Sequence, residues 1–242
     1  MRLCHSSGIL FAILLIAVIA IPFQAFAWHF EVVSTTGKLY AWTGTGFEDE
    51  NPFGLGAVTA QMSDPDGSAY AHSDLQVNGD TCSFFATASG SAGGWGGMGE
   101  AYVGYGPEST TIDFIIRVTS DPGDAGHATI DLEWISDSQG VDGFPCGCIS
   151  RVQAGLTIQD LHYASLVTHS EDGPEHTSDV TTIEQVQDGT LITFSGYLWA
   201  AAGTLDFCSR TGTSTCSIEM LLLAGTVPTE DTTWGKIKAL YK

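Results

Sequence analysis

Lysine and arginine are scarce in this chain: eight in 242 residues, against 28 aspartates and glutamates. From Trp28 to Asp231 the 28 acids meet only Lys38, Arg117, Arg151 and Arg210, a formal charge of −24. Neutralising phosphates takes clustered basic side chains, so nucleic acid and anionic membrane are excluded as partners of this body. Long apolar runs are also lacking beyond the first residues. "MLLLAG", Met220 to Gly225, holds a strand's worth of apolar residues and falls short of the roughly 20 that a spanning helix needs. No membrane span is therefore expected in the mature chain.

Catalytic signatures are missing as well. There is no G-x-S-x-G elbow, no H-E-x-x-H zinc helix and no phosphate-binding glycine loop ahead of a helix. Carboxylates are so numerous that an acid pair for glycoside cleavage can be assembled anywhere, and their presence does not discriminate. Paired C-x-x-C knuckles are absent, which argues against zinc. No stretch before the last residues sustains an apolar period of 3.6, so the body holds no amphipathic helix.

The chain opens "MRLCHSSGILFAILLIAVIAIPFQAFA": a charged Arg2, an apolar run from Ile9 to Ile21, then Ala25-Phe26-Ala27. That order predicts a signal peptide over residues 1–27, cleavage before Trp28, and a secreted or cell-surface protein. Five cysteines follow it. In an oxidising compartment pairs are expected, with one thiol left over. Cys208 and Cys216 flank "SRTGTST", read as a polar hairpin loop that a disulfide closes. Cys82 then pairs with Cys146 or Cys148; a direct Cys146 to Cys148 bridge spans one residue and is strained.

Alternation of period two runs from end to end. Ile112, Phe114, Ile116 and Val118 share one face; so do Ile130, Leu132 and Trp134; so do Val152, Ala154, Leu156 and Ile158; so do Ile218, Met220, Leu222 and Ala224. This pattern builds sheets with one face in a core and one wet. Asp188-Gly189 predicts a hairpin, "DPDG" at 64–67 and "DPGD" at 121–124 predict turns, and "GGWGGMG" reads as a mobile loop. The fold expected is all-β: an antiparallel sandwich of ten to twelve strands, jelly-roll-like, over residues 28–225. A tail, 226–242, follows it.

The runs "SAYAHS", "ATASGSAG" and "TIDFIIRVTSDPGDAGHATIDLEW" resemble the β-sandwich ectodomains of bacterial exported proteins with C-terminal sorting tails, the PEP-CTERM and choice-of-anchor groups. The resemblance covers about half the mature chain. It departs from PEP-CTERM proteins in having no Pro-Glu-Pro, no terminal span and no closing arginine cluster. The ending "VPTEDTTWGKIKALYK" instead looks like short Trp- and Lys-containing tails on exported proteins of Gram-negative lineages, which implies a destination and leaves the activity open.

Three places carry candidate chemistry. "HSEDGPEHTSD" gathers His169, Glu171, Asp172 and His176, with Glu175 and Asp179, as a metal-site candidate or a solvated polar loop. The acidic runs at 47–51, 63–68 and 136–143 are calcium candidates without EF-hand spacing. Trp95, among four glycines, can stack on a sugar ring or fold back to cap the core, and capping is the reading preferred. In the tail, Trp234, Ile237, Leu240 and Tyr241 fall on one 120° arc of a helix with Lys236, Lys238 and Lys242 outside it. So short a helix needs a partner, either export or anchoring machinery that reads Trp234, Lys236, Lys238 and Tyr241, or the acidic body itself.

These readings point first to a non-enzymatic exported sandwich with a structural or adhesive role. A carbohydrate-binding or calcium-dependent module is the alternative, and a glycan-active hydrolase the third.

Overall fold

The computed structural model describes residues 28–44, 48–104, 111–121, 126–141, 146–170, 172–204 and 209–224. The signal peptide and the tail, with Trp234, Lys236, Lys238 and Tyr241, lie outside them. Fourteen antiparallel strands make up the described residues, more than the ten to twelve expected, and no helix occurs among them. They are β1 (His29–Thr36), β2 (Lys38–Thr43), β3 (Glu48–Pro52), β4 (Gly56–Asp64), β5 (Gly67–Asn78), β6 (Thr81–Ala92) and β7 (Met98–Val103). The remainder are β8 (Ile112–Thr119), β9 (Ala128–Val141), β10 (Cys146–Ile158), β11 (His162–Ser170), β12 (Asp172–Val186), β13 (Leu191–Thr204) and β14 (Arg210–Ala224).

Pairing sorts the strands into two sheets. In the first, β3 pairs β2, β2 pairs β7, β7 and β8 share one edge of β13, β1 pairs β8, and β10 and β11 complete the other side. In the second the order is β4-β5-β6-β14-β9-β12. A single bridge, Val141 to Cys148, joins them where β9 passes into β10. The expected apolar faces are buried: Ile112, Phe114, Ile116, Val118, Ile130, Leu132, Trp134, Val152, Ala154, Leu156, Ile158, Ile218, Met220 and Leu222. Ala224, at the strand end, is exposed.

The core is tapered. At one end the inward positions are Ala88, Gly90 and Ala92 on β6, Gly99 on β7, Ala200 and Ala202 on β13, and Gly212 and Ser214 on β14. A Cβ on Gly90 would lie 2.3 Å from the Gly99 carbonyl oxygen; one on Gly140 would lie 2.3 Å from that of Ser170. The two sheets therefore meet there backbone to backbone. At the other end rings hold them apart: Phe84 packs on Phe114 and Phe194, and Phe114 stacks on Phe194 at 4.8 Å.

Turn chemistry was read correctly at Pro65-Asp66, where Asp64 pairs Gly67 across a two-residue hairpin. Asp188-Gly189 departs from the expected hairpin. Strand β12 pairs β9 and β13 pairs β10, so this turn crosses between the sheets and is no hairpin. It docks on β8 instead, with Gly189 N–H donating to Val118 O at 2.8 Å and Ser120 N–H to Asp188 Oδ1 at 2.8 Å. "GGWGGMG" is a turn over residues 93–97 followed by the start of β7. Gly93 N–H donates to Asp66 O, Gly97 N–H and the Gly94 carbonyl both engage the Thr204 hydroxyl, and Met98 already opens β7.

The disulfides expected at Cys82 and Cys216 are not formed; both thiols are free and buried. "SRTGTST" is the start of β14 rather than a loop, paired with β6 on one side and β9 on the other. The extended run from Arg210 carries Cys216 about 20 Å from that residue, far beyond the separation a bridge to Cys208 allows. Cys208 itself lies outside the described residues. Cys82 sits opposite Met220 at the bulky end, whereas Cys146 opens β10 at the glycine end, so that pairing is excluded by the length of the sheet. Trp134 Nε1–H donates to Cys216 Sγ at 3.2 Å.

Two outcomes test this packing. Gly90→Val should lower stability in urea unfolding by about 2–3 kcal/mol or abolish folding, since the added atoms meet backbone, whereas Gly203→Ala, with open space around its Cβ, should change it by under about 0.5 kcal/mol. Burial pushes the Cys82 thiol up to about 12, and burial, against the Trp134 hydrogen bond, pushes Cys216 up to about 11. The unfolded chain loses these protons first, so stability should fall as pH rises from about 9 through 11–12. Below that range neither thiol should react with iodoacetamide until the protein is unfolded.

Candidate functional site

Strands β2, β7 and β13 each carry a pair of outward side chains at i and i+2 opposite small or aliphatic inward ones. On β2 they are Tyr40 and Trp42, with Leu39 and Ala41 buried beneath; on β7, Glu100 and Tyr102, over Gly99, Ala101 and Val103; on β13, Tyr197 and Trp199, over Leu198 and Ala200. Register brings them together. Tyr40 lies opposite Tyr102, Tyr102 opposite Trp199, Trp199 opposite Arg151 and Arg151 opposite His169.

The result is a row of three half-buried rings on β2, β7 and β13, continued by Arg151 on β10 and exposed His169 on β11. Tyr40 and Tyr102 lie 6.0 Å apart at 59°, and Tyr102 and Trp199 lie 6.1 Å apart within 7° of parallel. Glu100 is the anchor: its Oε1 accepts from Trp199 Nε1–H at 2.8 Å and from the Tyr102 hydroxyl. Beside the row, Arg151 donates to Gln153 Oε1 at 2.9 Å, Tyr197 donates to the same oxygen at 3.3 Å, and the Arg151 guanidinium lies 5.8 Å from the Tyr197 ring centre. Arg117 and Lys38 pair with Glu31 and Glu50. Arg151 has no carboxylate partner among the described residues, and its Nε is buried without an acceptor. Aromatic surface with hydrogen-bonding groups at its margin, including a cation, can bind a flat ligand that is apolar on one face and hydroxylated at its rim.

Trp95 does not cap the core. It is 72% exposed, in the turn that leads into β7. Its neighbours Gly93, Gly94 and Gly97 hydrogen-bond to Asp66 and Thr204, and the turn joins β6 of the second sheet to β7 of the sheet that carries the ring row.

The histidine and carboxylate cluster is not a loop. His169 ends up on β11 while His176 lies on β12, opposite Asp137 of β9, with His176 Nδ1 2.7 Å from Asp137 Oδ1. Glu175 accepts from the His169 backbone N–H at 2.7 Å. Asp179 meets His162 at 2.9 Å. Glu171 and the Asp172 side chain lie outside the described residues, among which no group of three or more His, Cys, Asp and Glu converges. Of the acidic runs, Asp49 on β3 accepts from Gln61 N–H, and Asp64 accepts from Asp66 N–H within its turn. Calcium finds no gathered ligand set in these contacts.

No single residue marks the ring row in the sequence, because cross-strand register assembles it. Its signal was present in "YAW", "EAY" and "YLW", three short strands with large polar-tipped side chains two apart and a small or aliphatic one between. Replacing Glu100 with Ala should leave the Trp199 and Tyr102 donors to water and cost about 1 kcal/mol in urea unfolding, with a red shift of tryptophan emission as the indole is released.

Comparison with protein-family models finds no match, and comparison with curated proteins finds none either. Among solved structures, a chain from the structure of infectious bursal disease virus, Gt strain, aligns with 92% of this chain and 73% of its own at 9% identity and a TM-score of 0.16. A likeness that slight carries no argument.

Proposed function

We propose that this is an exported, non-enzymatic β-sandwich with an adhesive role, which attaches to glycan through the aromatic row Tyr40–Tyr102–Trp199. The observation that supports it most is the junction of parallel Tyr102 and Trp199 rings, both hydrogen-bonded to Glu100, with Arg151 and Gln153 beside them. Pyranose rings offer axial C–H faces to aromatic surface and hydroxyls to such margins. Trp42 extends the surface on one side, and exposed Trp95, in the turn before β7, offers a further contact. The net negative charge of the body favours neutral glycans over polyanions at long range. The predicted signal peptide would carry the chain out of the cell, and the tail, read by export or anchoring machinery, would set where it stays.

The test is affinity electrophoresis of the mature chain through gels containing neutral polysaccharides such as xylan, β-glucan and mannan. Retardation by at least one is expected, and Trp199→Ala with Tyr102→Ala should weaken it about tenfold or more, equivalent to about 1.4 kcal/mol, while circular dichroism stays unchanged. Mobility unaffected by every polysaccharide, or equal retardation of the variant, would sink the proposal.

A further inference from the structure

The outer face of the second sheet carries a groove of about 980 Å³ across β6, β14, β9 and β12. Register lays its floor in two rows. Ser83, Glu219, Glu133 and Val180 form one; Thr81, Leu221, Asp131 and Thr182 form the other. Glu219 and Glu133 lie directly opposite each other, an arrangement that is unfavourable in a sheet because like charges sit about 5 Å apart. Neither has a hydrogen-bond or cationic partner among the described residues, and Asp131 is met only by the Thr182 hydroxyl at 2.8 Å. Between these acids stand exposed apolar side chains: Val180 at 71%, Leu221 at 39% and, one step along β14, Leu223 at 42%.

The groove thus asks for a cationic ligand with an apolar side, and the chain supplies one. Strand β14 ends at Ala224, three residues past Leu221 of the groove floor. The residues that follow carry three of the eight basic side chains in the protein, Lys236, Lys238 and Lys242, flanking the apolar arc of Trp234, Ile237, Leu240 and Tyr241. Gly225 to Asp231 can span up to about 25 Å when extended, and the strand path from Ala224 back to Glu219 is about 17 Å. A return is within reach. A helix of about 10 Å diameter fits across four strands spaced about 4.8 Å apart.

We infer that residues 232–242 of the same chain dock in this groove, Trp234 and Leu240 against Val180 and Leu221, with Lys236 and Lys238 reaching Asp131, Glu133 and Glu219. Docking in cis places the tail on the sheet opposite the aromatic row, so it leaves that row open, and it covers the tail until a competing receptor takes it. The inference does not depend on the glycan reading.

The experiment is zero-length carbodiimide crosslinking of the full chain from Trp28 to Lys242, with peptide mapping of the monomer band, beside the rate of trypsin cleavage after Lys236. Amides joining Lys236 or Lys238 to Asp131, Glu133 or Glu219 within monomers are expected. Glu133→Gln with Glu219→Gln, which removes repulsion and should fold at least as well, is expected to abolish the links to those two positions and speed cleavage about tenfold, as the undocked population rises. Raising salt to 1 M, where the screening length is about 3 Å, should act in the same direction. The inference is overturned by tail crosslinks found only in dimers, which would make the occupant a second copy. It is overturned equally by tail links to other carboxylates, by a cleavage rate that the double variant does not change, or by calcium filling the groove while the tail lysines stay freely cleaved.

Discussion

The approach of two backbones governs this molecule. At one end of the sandwich Gly90, Gly140 and Gly212 face carbonyl oxygens of the opposite sheet with no room for a side-chain carbon that does not displace them. Packing so tight lets the sheets merge through the Val141–Cys148 bridge, and it leaves the rings of Phe84, Phe114, Phe194 and Trp134 to fill the widening space at the other end. A sandwich tapered in this way has its glycine and alanine content and its aromatic content set by position along the strands. The shift in composition along the chain is one expression of it.

The taper also explains why large side chains are available outside. Over the thin end of the first sheet the inward positions of β2, β7 and β13 hold small side chains or none, Ala41, Thr43, Gly99, Ala101, Ala200, Ala202 and Thr204, while the large side chains of these strands stand on their outer face. Tyr40, Trp42, Tyr102 and Trp199 stabilise the strands from that side by packing across them, with Glu100 satisfying two of their donors. Cross-strand packing and ligand recognition use the same surface here. The second sheet differs. Its outer face mixes hydroxyls and carboxylates with Tyr70, His72 and Phe85 on β5 and β6 and with exposed Val180, Leu221 and Leu223, and it sets Glu133 and Glu219 against each other. Unbalanced charge on the outer face is thus a feature of the second sheet, at the Glu133 and Glu219 pair.

Alternation made the strands legible, because inward positions such as Phe114, Leu132 and Leu156 are separated by polar or exposed residues with period two. The errors fell where local chemistry was asked to decide partners. Asp188-Gly189 makes the tight turn its residues dictate, yet the two strands it joins enter different sheets. The run before Cys216 has a loop's polarity because β14 is hydrated on one side and meets backbone on the other at Gly212, so threonines and serines suffice. Trp95 does not cap the core: its turn is tied to Asp66 and Thr204 through the neighbouring glycines, and the indole is exposed.

By itself the sequence determined that this is a sheet protein, which faces of its strands are apolar, and that its charge is divided between an acidic body and a basic ending. These follow from side-chain period and count, which need no knowledge of partners. Only the tertiary structure decided which strands lie side by side, that the Cys82 and Cys216 thiols are free, and that Tyr40, Tyr102, Trp199 and Arg151, drawn from 160 positions of chain, stand in one row. Cross-strand register depends on pairing over long separations, and no local pattern encodes it.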